Sequence, residues 1–253
     1  MIRRPPRSTL DRSSAASDVY KRQLICSQLS DIDKLLKIYH QYSKNMFFTI
    51  GVHPHHANEI NDGYLKKLRE LVTSNNPHAI GETGLDFFRN LSTYDEQIFA
   101  FEEQIKISID TNKPLFLHQR DSHEDFIKIL TKYSSSISKS VVHCFTGTQE
   151  QLDIYIELGC YIGITGWICD EKRNIELRKT IKNIPIERLM IETDCPYLIP
   201  KNLNDKPKNN RNEPNNLNHI VKEISKLMGI DEEILRERTF KNTVSFFDTK
   251  MPL

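Results

Sequence analysis

PLFLHQRDSHEDFIKILTKYSSSISKSVVHCFTGTQEQLDIYIELGCYIG, residues 114–163, decides the fold. Three short apolar runs, PLFL, SVV and YIG, are separated by two segments of helical period over residues 122–133 and 148–158. Such alternation is the pattern of repeated βα units building a parallel sheet. The first two runs end on a histidine, His118 and His143. Working outward, the same reading gives strands over 24–27, 46–52, 78–81, 114–118, 140–143, 161–163 and 189–192. Helical stretches fall over 31–42, 64–73, 94–111, 122–133, 148–158, 171–182, 217–228 and 231–247. Ser122 and Asp231 are placed as N-caps, and Gly159 and Gly229 follow helix ends as C′ glycines do. The expected fold is α/β, an eightfold (β/α) TIM-type barrel of the metal-dependent hydrolase kind with its first βα unit missing. One segment, 195–214, carries four prolines and five asparagines and reads as a long ordered loop, a length that inside a compact domain is usually functional.

A chain of 253 residues fits one such barrel as a single domain. With 38% apolar and 27% charged residues it can bury a core, and it has no apolar run of the ~18 residues that a membrane span needs, so neither a membrane protein nor a disordered chain is expected. Residues 1–23, MIRRPPRSTLDRSSAASDVYKRQ, lack an apolar h-region and a core pattern, and resemble the translated read-through of a cloning adapter. We therefore divide the chain into a leader, 1–23, and a barrel domain, 24–253, whose native N-terminus is expected to be missing. The leader holds six of the 35 basic residues and two of the 34 acidic ones. The remaining body, 29 basic against 32 acidic, is no general polyanion binder, and any nucleic-acid contact must come from a local patch. Five cysteines, Cys26, Cys144, Cys160, Cys169 and Cys195, without a C-x-x-C pair point to free thiols and a cytoplasmic location.

Metal-capable side chains collect at the strand ends. His53 and His55 follow FFTIGV, Glu82 follows HAIG, His118 ends PLFL, His143 ends SVV and Asp194 follows LMIET. In a parallel barrel all these ends open onto one face, so residues spread over some 140 positions converge. Imidazoles with carboxylates suit Zn²⁺, Mn²⁺ or Mg²⁺, whereas paired cysteines for a structural thiolate site are lacking. A divalent ion lowers the pKa of bound water from about 15.7 toward 7 and polarises an ester or phosphoryl oxygen, which suits hydrolysis. Neither G-x-x-x-x-G-K nor G-x-G-x-x-G occurs.

GVHPH (51–55), AIGETGLDF (79–87), PLFLHQRD (114–121), VVHCFTG (141–147), YIGITGWICDE (161–171), IETDCPYL (191–198) and RNEP (211–214) together resemble the TatD family of metal-dependent deoxyribonucleases. GITGWICDE and the early LIC resemble the eponymous branch of that family most. The resemblance implies a barrel hydrolase that removes nucleotides from the 3′ end of DNA, with Mg²⁺ the expected ion and Mn²⁺ or Zn²⁺ the alternatives. It places Glu82, His118, His143 and Asp194 on the metal, with Asp194 as ligand or general base. His53, His55, Arg120 and Arg211 fall on phosphate-contacting positions. The family's D-x-H-x-H segment at the first strand has no counterpart in residues 1–30. That implies two unpaired sheet edges and a site short of one wall.

Several residues carry two readings each. Lys201, Lys206, Lys208 and Arg211 form a basic loop suited to guiding a DNA backbone or simply to solvation. Trp167, Phe87 and Phe88 could stack on bases or pack at the rim. Asp86 could orient a ligand or cap its loop, and Cys144 and Cys195 are expected to pack as small buried thiols. The expected partner is single-stranded DNA, taken up by a monomer without membrane contact. The rival readings are a metal-dependent ester or amide hydrolase, for instance of aminoacyl-tRNA, and an inactive truncated remnant.

Overall fold

The computed structural model describes residues 22–43, 46–203, 207 and 210–247. Leader residues 1–21, and Asp205, Lys206 and Lys208 of the basic loop, lie outside the described residues. Among the described residues seven strands form one parallel sheet in chain order: β1 Arg22–Leu24, β2 Met46–Ile50, β3 Ala79–Asp86, β4 Leu115–Arg120, β5 Ser140–Val142, β6 Tyr161–Ile164 and β7 Leu189–Ile191. The helices are α1 Ile32–Tyr42, α2 Asp62–Asn75, α3 Tyr94–Thr111, α4 His123–Tyr133, α5 Gln149–Glu157, α6 Ile175–Thr180, α7 Leu217–Met228 and α8 Glu232–Phe246. This is the α/β TIM-type fold that the strand–helix alternation predicts.

Side-chain alternation along the strands sorts apolar residues into two environments. Phe48, Ile50, Leu117, Val142 and Ile162 share a large core with the helix residues Leu68, Phe101, Phe126, Leu152 and Ile224. Their strand neighbours Phe47, Ala79, Phe116, Val141 and Met190 face the other way and pack with Phe246 and Phe247 at the end of the chain's last helix. Phe47 of β2 and Met190 of β7 are far apart in strand order yet share this second cluster, so the sheet is curled and the cluster is its floor. Phe247 stacks on Phe47 with ring centroids 5.0 Å apart.

Local chemistry fixes the helix starts. Thr93 and Glu96 exchange side-chain-to-backbone bonds in a capping box at α3, and Thr148 and Gln151 do the same at α5. Asp231 caps α8 by accepting from the N–H groups of Glu233 and Ile234, as predicted. Gly159 and Gly229 adopt left-handed φ of 78° and 67° after their helices. Ser122 does not cap α4: its hydroxyl donates to the Leu85 carbonyl at 3.1 Å instead, tying that turn to β3. The helix expected over 171–182 starts late, at Ile175, because Asp170 Oδ1 accepts from the N–H groups of Lys172 and Arg173 and holds them in a turn; after Thr180 it tightens into a 3₁₀ turn over Ile181–Asn183. β1 begins at Arg22, two residues ahead of the expected strand, pairing Arg22 with Met46 and Gln23 with Phe47. β1 and β7 are the outer strands of the sheet, and no helix among the described residues is long and apolar enough to cross a membrane.

Phe246 is fully buried in the floor. Phe246→Ala is expected to lower unfolding free energy by about 3–5 kcal/mol, as read from urea denaturation. A loss below about 1 kcal/mol would show that the floor does not hold the sheet.

Candidate active site

Two-residue steps along the strands lead from the floor to the polar centre. His118 lies two positions after Phe116, His143 two after Val141, and Glu192 two after Met190, so each projects on the inward face. Strict alternation from Ala79 would send Glu82 outward. The β3–β4 register shifts between Ile80 and Thr83, and that irregularity turns Glu82 inward.

Glu82 is the hub. Its Oε1 lies 2.9 Å from His118 Nδ1, 2.9 Å from His143 Nε2 and 3.4 Å from His53 Nε2. Each of the two closest imidazoles turns its other nitrogen to an outer carboxylate: His118 Nε2 lies 3.2 Å from Asp86 Oδ2, and His143 Nδ1 lies 3.4 Å from Glu192 Oε1. Asp86 also meets His55 Nε2 at 2.8 Å and accepts the Arg89 N–H, so it both orients a histidine and caps its loop. Glu192 accepts the Cys144 N–H at 2.7 Å, and Gly163 makes room for it, since a Cβ there would sit 2.5 Å from Glu192 Oε1.

The charges follow this arrangement. Burial would push the Glu82 carboxyl up, but His143, His53 and the His118 bond together hold it well below the usual carboxylate range. Burial likewise opposes protonation of His118 and His143, and their carboxylate partners override it, raising both, His143 strongly. Asp86 is held low by its two histidines and the Arg89 N–H despite burial. His53 goes the other way, lowered chiefly by burial. Its Nδ1 accepts the His55 N–H at 3.1 Å, so the neutral ring carries its hydrogen on Nε2, facing Glu82. Asp194 is pushed up to about 7, first by burial and then by Glu192 and Glu82, against the opposing pull of His143 and His118. It holds a left-handed φ of 54°, as do Cys144 at 49° and Asp121 at 50°, each just past a strand end.

Of the sequence-predicted residues, Glu82, His118 and His143 are in direct contact, with His53 beside them and His55 joined through Asp86. Asp194 lies within their electrostatic field. Arg120 is exposed at the end of β4, its guanidinium 3.8 Å over the Phe88 ring, and Arg211 is exposed on the loop after β7. Cys144 is enclosed beside Thr165, its thiol pushed up to about 12 by burial, whereas Cys195 is exposed and not packed as expected, because it stands on the outer turn after Asp194.

Sequence reasoning missed four supports. Besides Glu192, they are Gln97 and Gln104, both buried and two turns apart on α3. Gln104 bonds the Val52 N–H, the Val52 carbonyl and Thr83 Oγ1; Gln97 bonds the Asp86 N–H and the carbonyls of Asp86 and Ser92. Glutamines seven apart on an otherwise apolar helix face were the available signal. The fourth is buried Asn212, whose amide donates to the Thr193 and Leu198 carbonyls at 2.9 and 3.3 Å and so fixes the loop that carries Asp194.

The donor set fits a divalent ion. Ligand atoms of His53, Glu82 and His118 all lie within 4.8 Å of one another, and His143 Nε2 approaches the same Glu82 oxygen. Fold and site together define a TIM-type hydrolase with a His/Glu centre able to bind a metal. The family model for TatD related DNase matches residues 6–248, and the chain belongs to that family, hydrolases of nucleic-acid phosphodiester bonds. It is 44% identical over 207 residues to the 3′-5′ ssDNA/RNA exonuclease TatD of Yersinia pseudotuberculosis, covering 82% of this chain and 80% of that one. It is 42% identical to the enzyme of the same name from Escherichia coli, over 87% of this chain and 85% of that one. Among solved structures it is similar to a TatD family hydrolase from Entamoeba histolytica, with a TM-score of 0.83 and 30% identity over 93% of this chain and 87% of that one. It also shares the fold of the E. coli TatD homologue YJJV, with a TM-score of 0.85, 23% identity and coverage of 94% and 90%.

Because His118 and His143 hold protons more tightly than free imidazole, and Asp194 is raised as well, a metal ion must displace protons to bind. Titration calorimetry in buffers of different ionisation enthalpy should report proton release, with affinity rising from about pH 6 to about pH 8. A pH-independent affinity would contradict the arrangement, and absence of any tight site would favour a remnant.

Proposed function

We propose that this protein is a Mg²⁺-dependent 3′-5′ exonuclease acting on single-stranded DNA, with RNA as a second substrate in line with the names of its relatives. The observation that carries this reading is Glu82 between two imidazoles that are each backed by an outer carboxylate. Carboxylates behind histidines fix the ring nitrogen left for a metal and raise its basicity. Glu82, His118, His143 and Asp194 would hold the ion, which when bound supplies charge to the phosphoryl oxygens and acidifies water.

The remaining roles belong to this chain's own side chains. Asp194, where it does not itself bind the ion, accepts the proton of the attacking water, from its place among His143, Glu192 and Glu82. His53 stands with Glu82 and His118 in the metal-capable group; left off the ion, it keeps its hydrogen on Nε2 and the bond from the His55 N–H, and donates to a phosphate oxygen. His55, fixed by Asp86, supports the same phosphate. Arg120 and Arg211 are the exposed forks suited to the next phosphates along the strand. The same reading treats the chain from Arg22 onward as one catalytic domain, two residues ahead of the start expected at 24, because Arg22 and Gln23 pair with Met46 and Phe47 in β1. It takes the protein to be a cytoplasmic monomer, the five free thiols according with a reducing compartment.

Glu82→Gln and His143→Ala are each expected to abolish Mg²⁺-dependent 3′ shortening of a single-stranded oligonucleotide, a loss of at least about a thousandfold on a denaturing gel. Unchanged shortening in either variant overturns the assignment. Release of ester or amide products from a parallel substrate panel, without shortening, moves the reaction to another class.

A further inference from the structure

Beside the metal-capable centre lies a second, separate concavity. It has a volume of about 440 Å³ and is walled by Trp167 and Tyr197, with Arg173 and Lys201 at its edge. Its two sides come from adjacent strand ends, the turn after β6 and the loop after β7, so it opens on the same face as Glu82 and Asp194. We propose that this cavity is a nucleobase subsite that takes an unpaired base next to the bond being cut, by stacking on Tyr197, and so makes the enzyme select single strands. This rests on the nuclease reading above and deepens it.

Four observations support the assignment. Tyr197 is 70% exposed, more than any other large hydrophobic side chain among the described residues, so its ring is open to a ligand. It is held at short range from the centre, since its N–H donates to the Asp194 carbonyl at 2.9 Å. The wall that carries it is rigid. Asn212 donates from its backbone N–H to the Pro196 carbonyl and from its amide to the Leu198 carbonyl, and Gly166 lets the loop sit down on the turn after β6, since a Cβ there would lie 2.3 Å from the Leu198 oxygen. The exposed Arg173 and Lys201 place positive charge where the flanking phosphates would run.

The cavity has the means to hold a base without reading it. The one carboxylate in its wall, Asp170, spends Oδ1 on the N–H groups of Lys172 and Arg173 and has Arg173 Nε 4.0 Å from Oδ2. What remains is an aromatic surface with cations, which accepts any base because every base has a π-face. A base inside such a cavity has left its duplex, so paired ends carry an unpairing cost that single strands do not.

The test is steady-state degradation of a single-stranded oligonucleotide ending in ordinary nucleotides and of the same oligonucleotide with abasic sites at its last two positions. Tyr197→Ala should raise KM on the ordinary end about tenfold, the scale of one lost base stack, and raise KM more than it lowers kcat. Tyr197→Phe should restore the parent value. On the abasic end the KM ratio of variant to parent should fall toward unity. An unchanged KM for Tyr197→Ala, or the same loss on abasic ends, overturns the subsite. A parallel binding measurement uses a 3′-terminal 2-aminopurine oligonucleotide without metal; its fluorescence should be quenched by the parent and not by Tyr197→Ala. If the parent degrades nothing but quenches in this manner, the nuclease reading fails and the subsite stands. If it degrades the oligonucleotide and both proteins quench equally, the subsite fails and the nuclease reading stands.

Discussion

A carboxylate removed from water must be compensated, and at Glu82 the compensation is three imidazoles carried at or just past the ends of β2, β4 and β5. The demand organises everything around it. His118 and His143 can serve Glu82 only while their outer nitrogens are satisfied, which calls for Asp86 and Glu192. Those carboxylates in turn need N–H donors, found at Arg89 and Cys144 just past the strand ends. The left-handed residues, the glycine opposite Glu192 and the irregularity in β3 are therefore parts of one arrangement. A divalent ion entering this centre would take the place of protons already held there, which is why the unloaded site can persist with so many ionisable groups together.

Much of this was legible because strand alternation is a simple rule. Phe116 and His118, or Val141 and His143, share a face by their spacing alone, and a parallel sheet puts all such ends on one side. The helices were legible where caps and periodicity agreed, as at Asp231. What escaped followed from contacts that spacing does not encode. Nothing in AIGETGLDF announces the register shift that turns Glu82 inward. Glu192 in IETD went unread beside Asp194, although its two-residue spacing from Met190 puts it on the inward face. Ser122 had the composition of a cap but found a partner on β3, a tertiary bond that outweighed the local one. In the R-N-E-P motif the charged Arg211 drew attention, while the neutral Asn212 carries the loop.

The floor and the centre are linked by the same strands. A bulky aromatic layer of Phe47, Phe116 and Phe247 closes the base, and the Phe116 ring lies 5.1 Å from that of His143. One face of the centre is thus apolar and dry, while the other opens to the mouth where Arg120 lies on Phe88 and Tyr197 stands exposed. Electrostatic interactions gain strength against the dry side, and a charged substrate approaches from the wet one.

Gln97 and Gln104 make a single helix responsible for two separate loops. Because both clamps ride on α3, the loop that carries His53 and the end of β3 that carries Asp86 are positioned by one rigid rod and share its fluctuations. A transient loosening of that helix releases both supports in one event while leaving the rest of the sheet paired. The His53 loop and the Asp86 end of β3 thus form one cooperative unit, since neither clamp can be lost with α3 while the other is kept.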